Sequence, residues 1–291
     1  MTTAPSGAHR APTGPDSSPR PSGRLGPADA AIFETFVVPR YLSLFGELVL
    51  EMLAESEEAQ VAHLFCRTGY PDRGVALKLS GAHIIGIDRS TAAIELARAK
   101  AATMPEMVSD YRVAEELPSS LPSSAFSHAL TLHPHGGTEE RGVLLAEMAR
   151  VLAPSGQGLF AMPLRGSFQE VGDLLREYAL KFDEAAIAAA VDKATLARPT
   201  VEMLGAELEE AGFDYVDVSL RPATFAFRSG RDFFEDPIAR LLVLPDLRQS
   251  LGLDDPDKAL GYVRDAIDKY WSDGAFELTV NVGCATGRRT G

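Results

Sequence analysis

Apolar positions along this chain recur with two periods, about two residues in some stretches and about three to four in others, which marks strands and helices in alternation. Val61 to Phe65 is a short apolar run, and Thr68-Gly69-Tyr70-Pro71 reads as a turn opening a helix. Proline suits that first helical turn because its missing N–H would be unpaired there anyway. Gly81-Ala82 ends the helix, and His83 to Ile87 reads as a buried parallel strand closing on Asp88. Ser90 or Thr91 then caps a helix running to Lys100. Ser124 to His133 reads as another strand. Glu147 and Arg150 share a helical face, and Pro154-Ser155-Gly156 turns the chain into a strand over Gly158 to Met162.

The flanks follow the same logic. Asp29 to Glu58 reads as a helix broken near Pro39, with too many apolar residues for one narrow stripe, so it is buried on most sides or meets a partner. Ser167 to Ala190 reads as an amphipathic helix followed by an alanine-rich one. Thr200 caps a helix that Gly212 stops. Phe213 to Leu220 reads as a strand, Thr224 to Phe227 as a short strand-like piece, and Phe276 to Cys284 as the final strand. Gly230 to Tyr270 reads as helical with a break near Gly252 to Pro256. The fold class is therefore α/β, with no internal repeat and no second domain.

Asp88 lies about twenty residues past the turn at Gly69, the distance at which an acid meets a ribose hydroxyl in nucleotide-binding βαβ units. Together with the Ser90–Lys100 helix and Glu147 to Gly156, this segment resembles the class I S-adenosylmethionine-dependent methyltransferases, close to their small-molecule, type 11 branch. The resemblance spans about residues 35 to 285. It implies a Rossmann-like, mostly parallel seven-stranded sheet with helices on both faces, and a small helical insertion at about 230–272 before an antiparallel last strand. It also implies S-adenosylmethionine bound between Gly69 and Asp88, with adenine beside Ala114 and Glu115. The family pattern at the turn is an acid, then Gly-x-Gly-x-Gly. Here His63 replaces the acid, Phe65 the first glycine and Arg67 the second, and Val113 stands where an adenine-binding acid is expected. These four changes weigh against binding of the cofactor.

Composition narrows the classes. The chain has 291 residues, 45% of them hydrophobic, and a formal net charge of −13. Such a charge argues against a polyanionic partner, because nucleic-acid binding rests on neutralising phosphates. Residues 1–28 are rich in Pro, Ser and Gly and are expected to be a disordered tail, with one methyltransferase-like domain over 29–291. The tail lacks the apolar core of a signal peptide, and no run is long enough to span a membrane. The two cysteines, Cys66 and Cys284, read as reduced thiols of a cytoplasmic protein.

His128, His133 and His135 flank the end of the fourth strand. A general base is one use for such a cluster, with His133 and His135 as candidates; loop histidines without chemistry are the other. The spacing does not suit structural zinc. Two functions stay open. One is a non-catalytic or weakly active methyltransferase-fold module that binds a partner or regulates. The other is an active methyltransferase acting on a small molecule or protein.

Overall fold

The computed structural model describes residues 24–105, 107–251 and 256–291. A seven-stranded sheet organises it in the order β3-β2-β1-β4-β5-β7-β6. The strands are β1 (Gln60–Leu64), β2 (His83–Asp88), β3 (Val108–Val113), β4 (Phe126–Leu132), β5 (Leu152–Pro163), β6 (Phe213–Phe227) and β7 (Phe276–Arg289). The pairs from β3 through β5 are parallel, while β7 runs antiparallel between β5 and β6. The mostly parallel seven-stranded architecture implied by the resemblance is the one observed.

Alternation sorts the strand residues onto two faces. Val61, Ile84, Leu130 and Leu159 join a core cluster formed with the N-terminal helix, the helix Gln169–Phe182 and the helices between β6 and β7. Ala62, Ala129, Phe160 and Met162 point the other way, to the helices Thr138–Val151 and Val201–Glu210. Both faces are covered, which is why the central strands read as continuous apolar runs.

Several boundaries differ from expectation. The N-terminal helix does not break at Pro39. It is α-helical over Pro27–Ile32, π-wound over Phe33–Leu42 and α-helical again over Ser43–Met52. The wider winding spares the proline ring its clash with the preceding turn. The helix ends at Met52 rather than Glu58 because Gln157 of β5 takes over the chain, accepting from Ala54 N–H and donating to Met52 O, both at 2.8 Å. The two short strands expected between Phe213 and Phe227 are one strand with a bulge between Asp214 and Asp217, paired along its length with a β7 that runs on to Arg289. Between them lie the helices Gly230–Glu235, Ala239–Val243, Leu244–Leu251 and Asp257–Tyr270; the break expected at Gly252 to Pro256 falls largely outside the described residues.

Residues 1–23 of the expected tail also lie outside the described residues. The remainder sits on the domain: Arg24 pairs with Glu115, Leu25 packs against the main core cluster, and the Leu25 carbonyl accepts from Ser90 Oγ at 2.7 Å. Arg24 and Leu25 therefore pack against the domain. Among the described residues no helix is long and apolar enough to cross a membrane.

Candidate functional site

β1, β2 and β4 end side by side, and the chain leaving β1 folds over their carboxyl ends. That loop keeps a left-handed backbone at the three positions where the resemblance expects glycine, with φ of +53° at Phe65, +47° at Arg67 and +77° at Gly69. Two of the three carry side chains, each at about 1–3 kcal/mol of strain. Surrounding hydrogen bonds hold the shape. Cys66 N–H donates to Ile87 O at 2.9 Å and Gly69 N–H to Cys66 O at 2.8 Å.

Asp88 is the anchor of the loop. Its carboxylate accepts from Arg67 N–H at 2.9 Å and from Ser90 N–H at 2.8 Å, joining the loop to the start of the helix Thr91–Ala101. Burial pushes its carboxyl above the ordinary range, opposed by those two amides and the Arg67 charge. Asp88, Phe65, Arg67 and His135 line one cavity of about 440 Å³, together with Arg89 and Glu116. That size lies within the usual range for a small-molecule site, about 300–1,000 Å³. The Phe65 ring forms part of its wall, with the Arg89 guanidinium 5.1 Å above it.

Arg67 turns inward. Its guanidinium is buried at the end of β4, donating to Leu132 O at 2.7 Å and His133 O at 2.5 Å, and lying 3.2 Å from His135 Nε2. The Phe33 ring of the N-terminal helix faces it at 5.6 Å. A buried arginine held by two backbone carbonyls acts as a fixed positive charge.

His63 brings no acid, but one stands beside it. Asp72, in the first turn after Pro71, lies 2.7 Å from His63 Nδ1 and accepts from Tyr111 O–H at 2.7 Å. All three side chains are buried. Tyr111 packs against Gly69 and Gly86, where a Cβ would come within 2.9 Å of its hydroxyl and 2.5 Å of its ring. Burial and the Asp72 carboxylate hold the Tyr111 hydroxyl well above its ordinary range, so it stays a donor.

The other expected residues divide. Gly69 lines a different cavity, on the far side of the loop. Val113 is 40% exposed at the end of β3, and neither it nor Ala114 walls the cavity beside Asp88. Ala114 contributes only an N–H to Asp88 O at 2.9 Å. Glu115 turns out to pair with Arg24, and Glu116 faces the cavity instead. His133 is enclosed by Tyr41 and Phe45, with Nε2 at 2.9 Å from the Tyr41 hydroxyl. Burial and the Arg67 charge drive its imidazole well below the ordinary value and push His135 down to about 3. Both are neutral at pH 7. Among the described residues no group of three or more His, Cys, Asp or Glu gathers as metal ligands would.

Asp72 and Tyr111 were missed by the reading of the sequence, although both left a trace. Asp72 is an acid in a helical first turn, where the dipole favours it. Tyr111 is the one aromatic residue of β3.

The lowered imidazoles set a pH dependence. His128, His133 and His135 all titrate below 6.5 when folded, so unfolding takes up protons below that value. Their contribution is complete above pH ~6.5 and is lost as the pH falls. Asp88 and Asp246, raised by burial, act in the opposite sense at lower pH. The melting temperature should drop between pH 7 and 5, and His133→Asn should flatten that drop. A profile unchanged by the substitution would show that His133 does not titrate as its burial requires.

Comparison with known proteins agrees with this architecture. A family described as a methyltransferase domain matches residues 65–160. The YcgJ protein of Bacillus subtilis superimposes with a TM-score of 0.54 at 12% identity, covering 86% of this chain and 99% of that one. Phosphoethanolamine N-methyltransferase 2 of Haemonchus contortus, in complex with S-adenosyl-L-methionine, gives a TM-score of 0.52 at 14% identity, covering 91% of this chain and 56% of that one. At such identities the likeness establishes the fold alone. No curated protein matches the sequence.

Proposed function

For a chain with the class I S-adenosylmethionine-dependent methyltransferase fold, matched to that family over residues 65–160, we propose a non-catalytic or weakly active module that binds a partner or regulates. The observation that carries this reading is the buried Arg67 guanidinium at the end of β4. The groups present do not fit S-adenosylmethionine as a whole. Its sulfonium and ammonium are both cationic, and Arg67 sets a cation at the loop while occupying the Leu132 and His133 carbonyls that could accept from an ammonium, so that only the methionyl carboxylate would find a match in Arg67. Two of the nearby acids are already engaged, Asp72 by His63 and Tyr111 and Asp88 by the Arg67 and Ser90 amides. No transfer step is therefore derived through the cofactor.

The partner is a small molecule or a protein in the cytoplasm, and the net charge of −13 disfavours nucleic acid. The alternative, an active methyltransferase on a small-molecule or protein acceptor, draws on one feature: the cavity of about 440 Å³ beside Asp88. Calorimetric titration of the full chain with S-adenosylmethionine separates the two. The proposal expects no measurable heat of binding at millimolar ligand; micromolar affinity would defeat it.

A further inference from the structure

A second cavity, of about 470 Å³, opens on the other side of the Phe65–Pro71 loop. It lies between the helices Asp72–Lys78 and Thr91–Ala101, with the N-terminal helix at one end. Its walls are largely apolar, with Leu50, Leu77, Ala97, Met104 and Met107 prominent. None of the residues lining the cavity beside Asp88 lines this one.

Its charges do not balance. Three charged side chains line it, Glu34, Lys100 and Arg73. Two of them answer each other: Lys100 Nζ lies 2.6 Å from Glu34 Oε1 and also donates to Thr68 O at 2.9 Å. The third does not. Arg73 stands exposed in the first turn of the helix Asp72–Lys78, and among the described residues its guanidinium has neither an ion pair nor a hydrogen bond. Its neighbour Asp72 is buried and taken up by His63 and the Tyr111 hydroxyl. Acids outnumber bases by 41 to 28 in this chain, yet none of the described ones reaches Arg73.

We infer that this cavity binds an aliphatic monocarboxylate, with its chain among the apolar walls and its carboxylate on the Arg73 guanidinium. The lining sets the sign of the charge. Once Glu34 and Lys100 cancel, one positive charge is left, so a single negative charge balances it and a cation finds no partner. The planar fork of a guanidinium also matches a carboxylate in shape. Because Arg73 is exposed, the head group stays partly solvated and escapes the cost of burying a charge. The chain contributes through the apolar area it removes from water. The site goes beyond the reading of the cavity beside Asp88 and does not depend on it.

Octanoate and octanol provide the test, since they share a chain length and only octanoate is charged at neutral pH. NMR titrations of the full chain should show octanoate binding about threefold tighter or more, the modest margin expected of a solvated ion pair. Octanol is the more apolar of the two, so partition into an apolar groove alone would give the reverse order. Arg73→Gln changes an exposed side chain without a partner, and the fold should tolerate it. It should bring octanoate down to the level of octanol or below and leave octanol unchanged. Added salt should weaken octanoate alone. Ala101→Phe, which places a ring in the cavity, should abolish both signals. Octanol binding as tightly as octanoate, no signal from either at millimolar concentration, or octanoate binding unaltered by either variant would overturn the inference.

Discussion

Asp72→Ala is expected to lower the stability of the domain by about 3–5 kcal/mol, the usual result of removing one member of a buried, paired set. Asp72 is 0% exposed, His63 1% and Tyr111 2%, so water cannot replace the lost carboxylate. The substitution orphans His63 Nδ1 and the Tyr111 hydroxyl together. Each buried orphan costs about 1–3 kcal/mol. For a domain of this size the melting temperature should fall by about 6–20 °C, at about 2–4 °C per kcal/mol. Tyr111→Phe is the graded control: it removes one hydroxyl and keeps the ring over Gly69 and Gly86, and should cost about 1 kcal/mol. Denaturant midpoints measure both. If Asp72→Ala loses less than about 1 kcal/mol, the three residues do not act as a unit.

On the proposed reading, Arg67→Gly should give S-adenosylmethionine binding where the wild-type chain is expected to show none. Two unit charges of like sign about 4 Å apart repel by about 4 kcal/mol at the effective dielectric of a protein surface, roughly a thousandfold in affinity. Removing the guanidinium lifts that repulsion and frees the Leu132 and His133 carbonyls. Glycine also suits the φ of +47° at this position, which offsets part of the loss of Arg67's hydrogen bonds. The gain should be at least a hundredfold, read as the appearance of a titration where wild type has none. A folded variant that still fails to bind would move the obstruction from Arg67 to Phe65. The family pattern also suggests restoring an acid at His63, but the structure argues against it. His63→Asp would place two buried carboxylates side by side, His63 being 2.7 Å from Asp72.

How much of this was legible in the sequence follows from how local each signal is. The elements from Val61 to Lys100 needed only periodicity, turn residues and caps, all of which act within a few residues, whereas those from Ser124 to Met162 were placed with the help of the resemblance and β3 was not read at all. Ser90 caps its helix as expected, with Ala93 N–H donating to its Oγ at 3.1 Å, and Thr200 does so at 3.2 Å to Met203. Pro39 does not break the helix because a π-wound turn absorbs a proline that an α turn would not, in a segment whose Phe33, Val37 and Tyr41 pack into the core.

The site divides along the same line. The spacing from the turn put Asp88 at the carboxyl edge of the sheet, and the resemblance to the family's glycine pattern put Phe65 and Arg67 beside it. The sequence could not say which way Arg67 points, because that depends on carbonyls of Leu132 and His133, about sixty-five residues away in the chain. Nor could it pair His63 with Asp72 and Tyr111, or turn Glu115 out to Arg24 and Glu116 in to the cavity. Strand order and helix ends are properties of short windows. The direction of a buried charge is decided by the nearest unpaired partner in space, and only the closed fold supplies that partner.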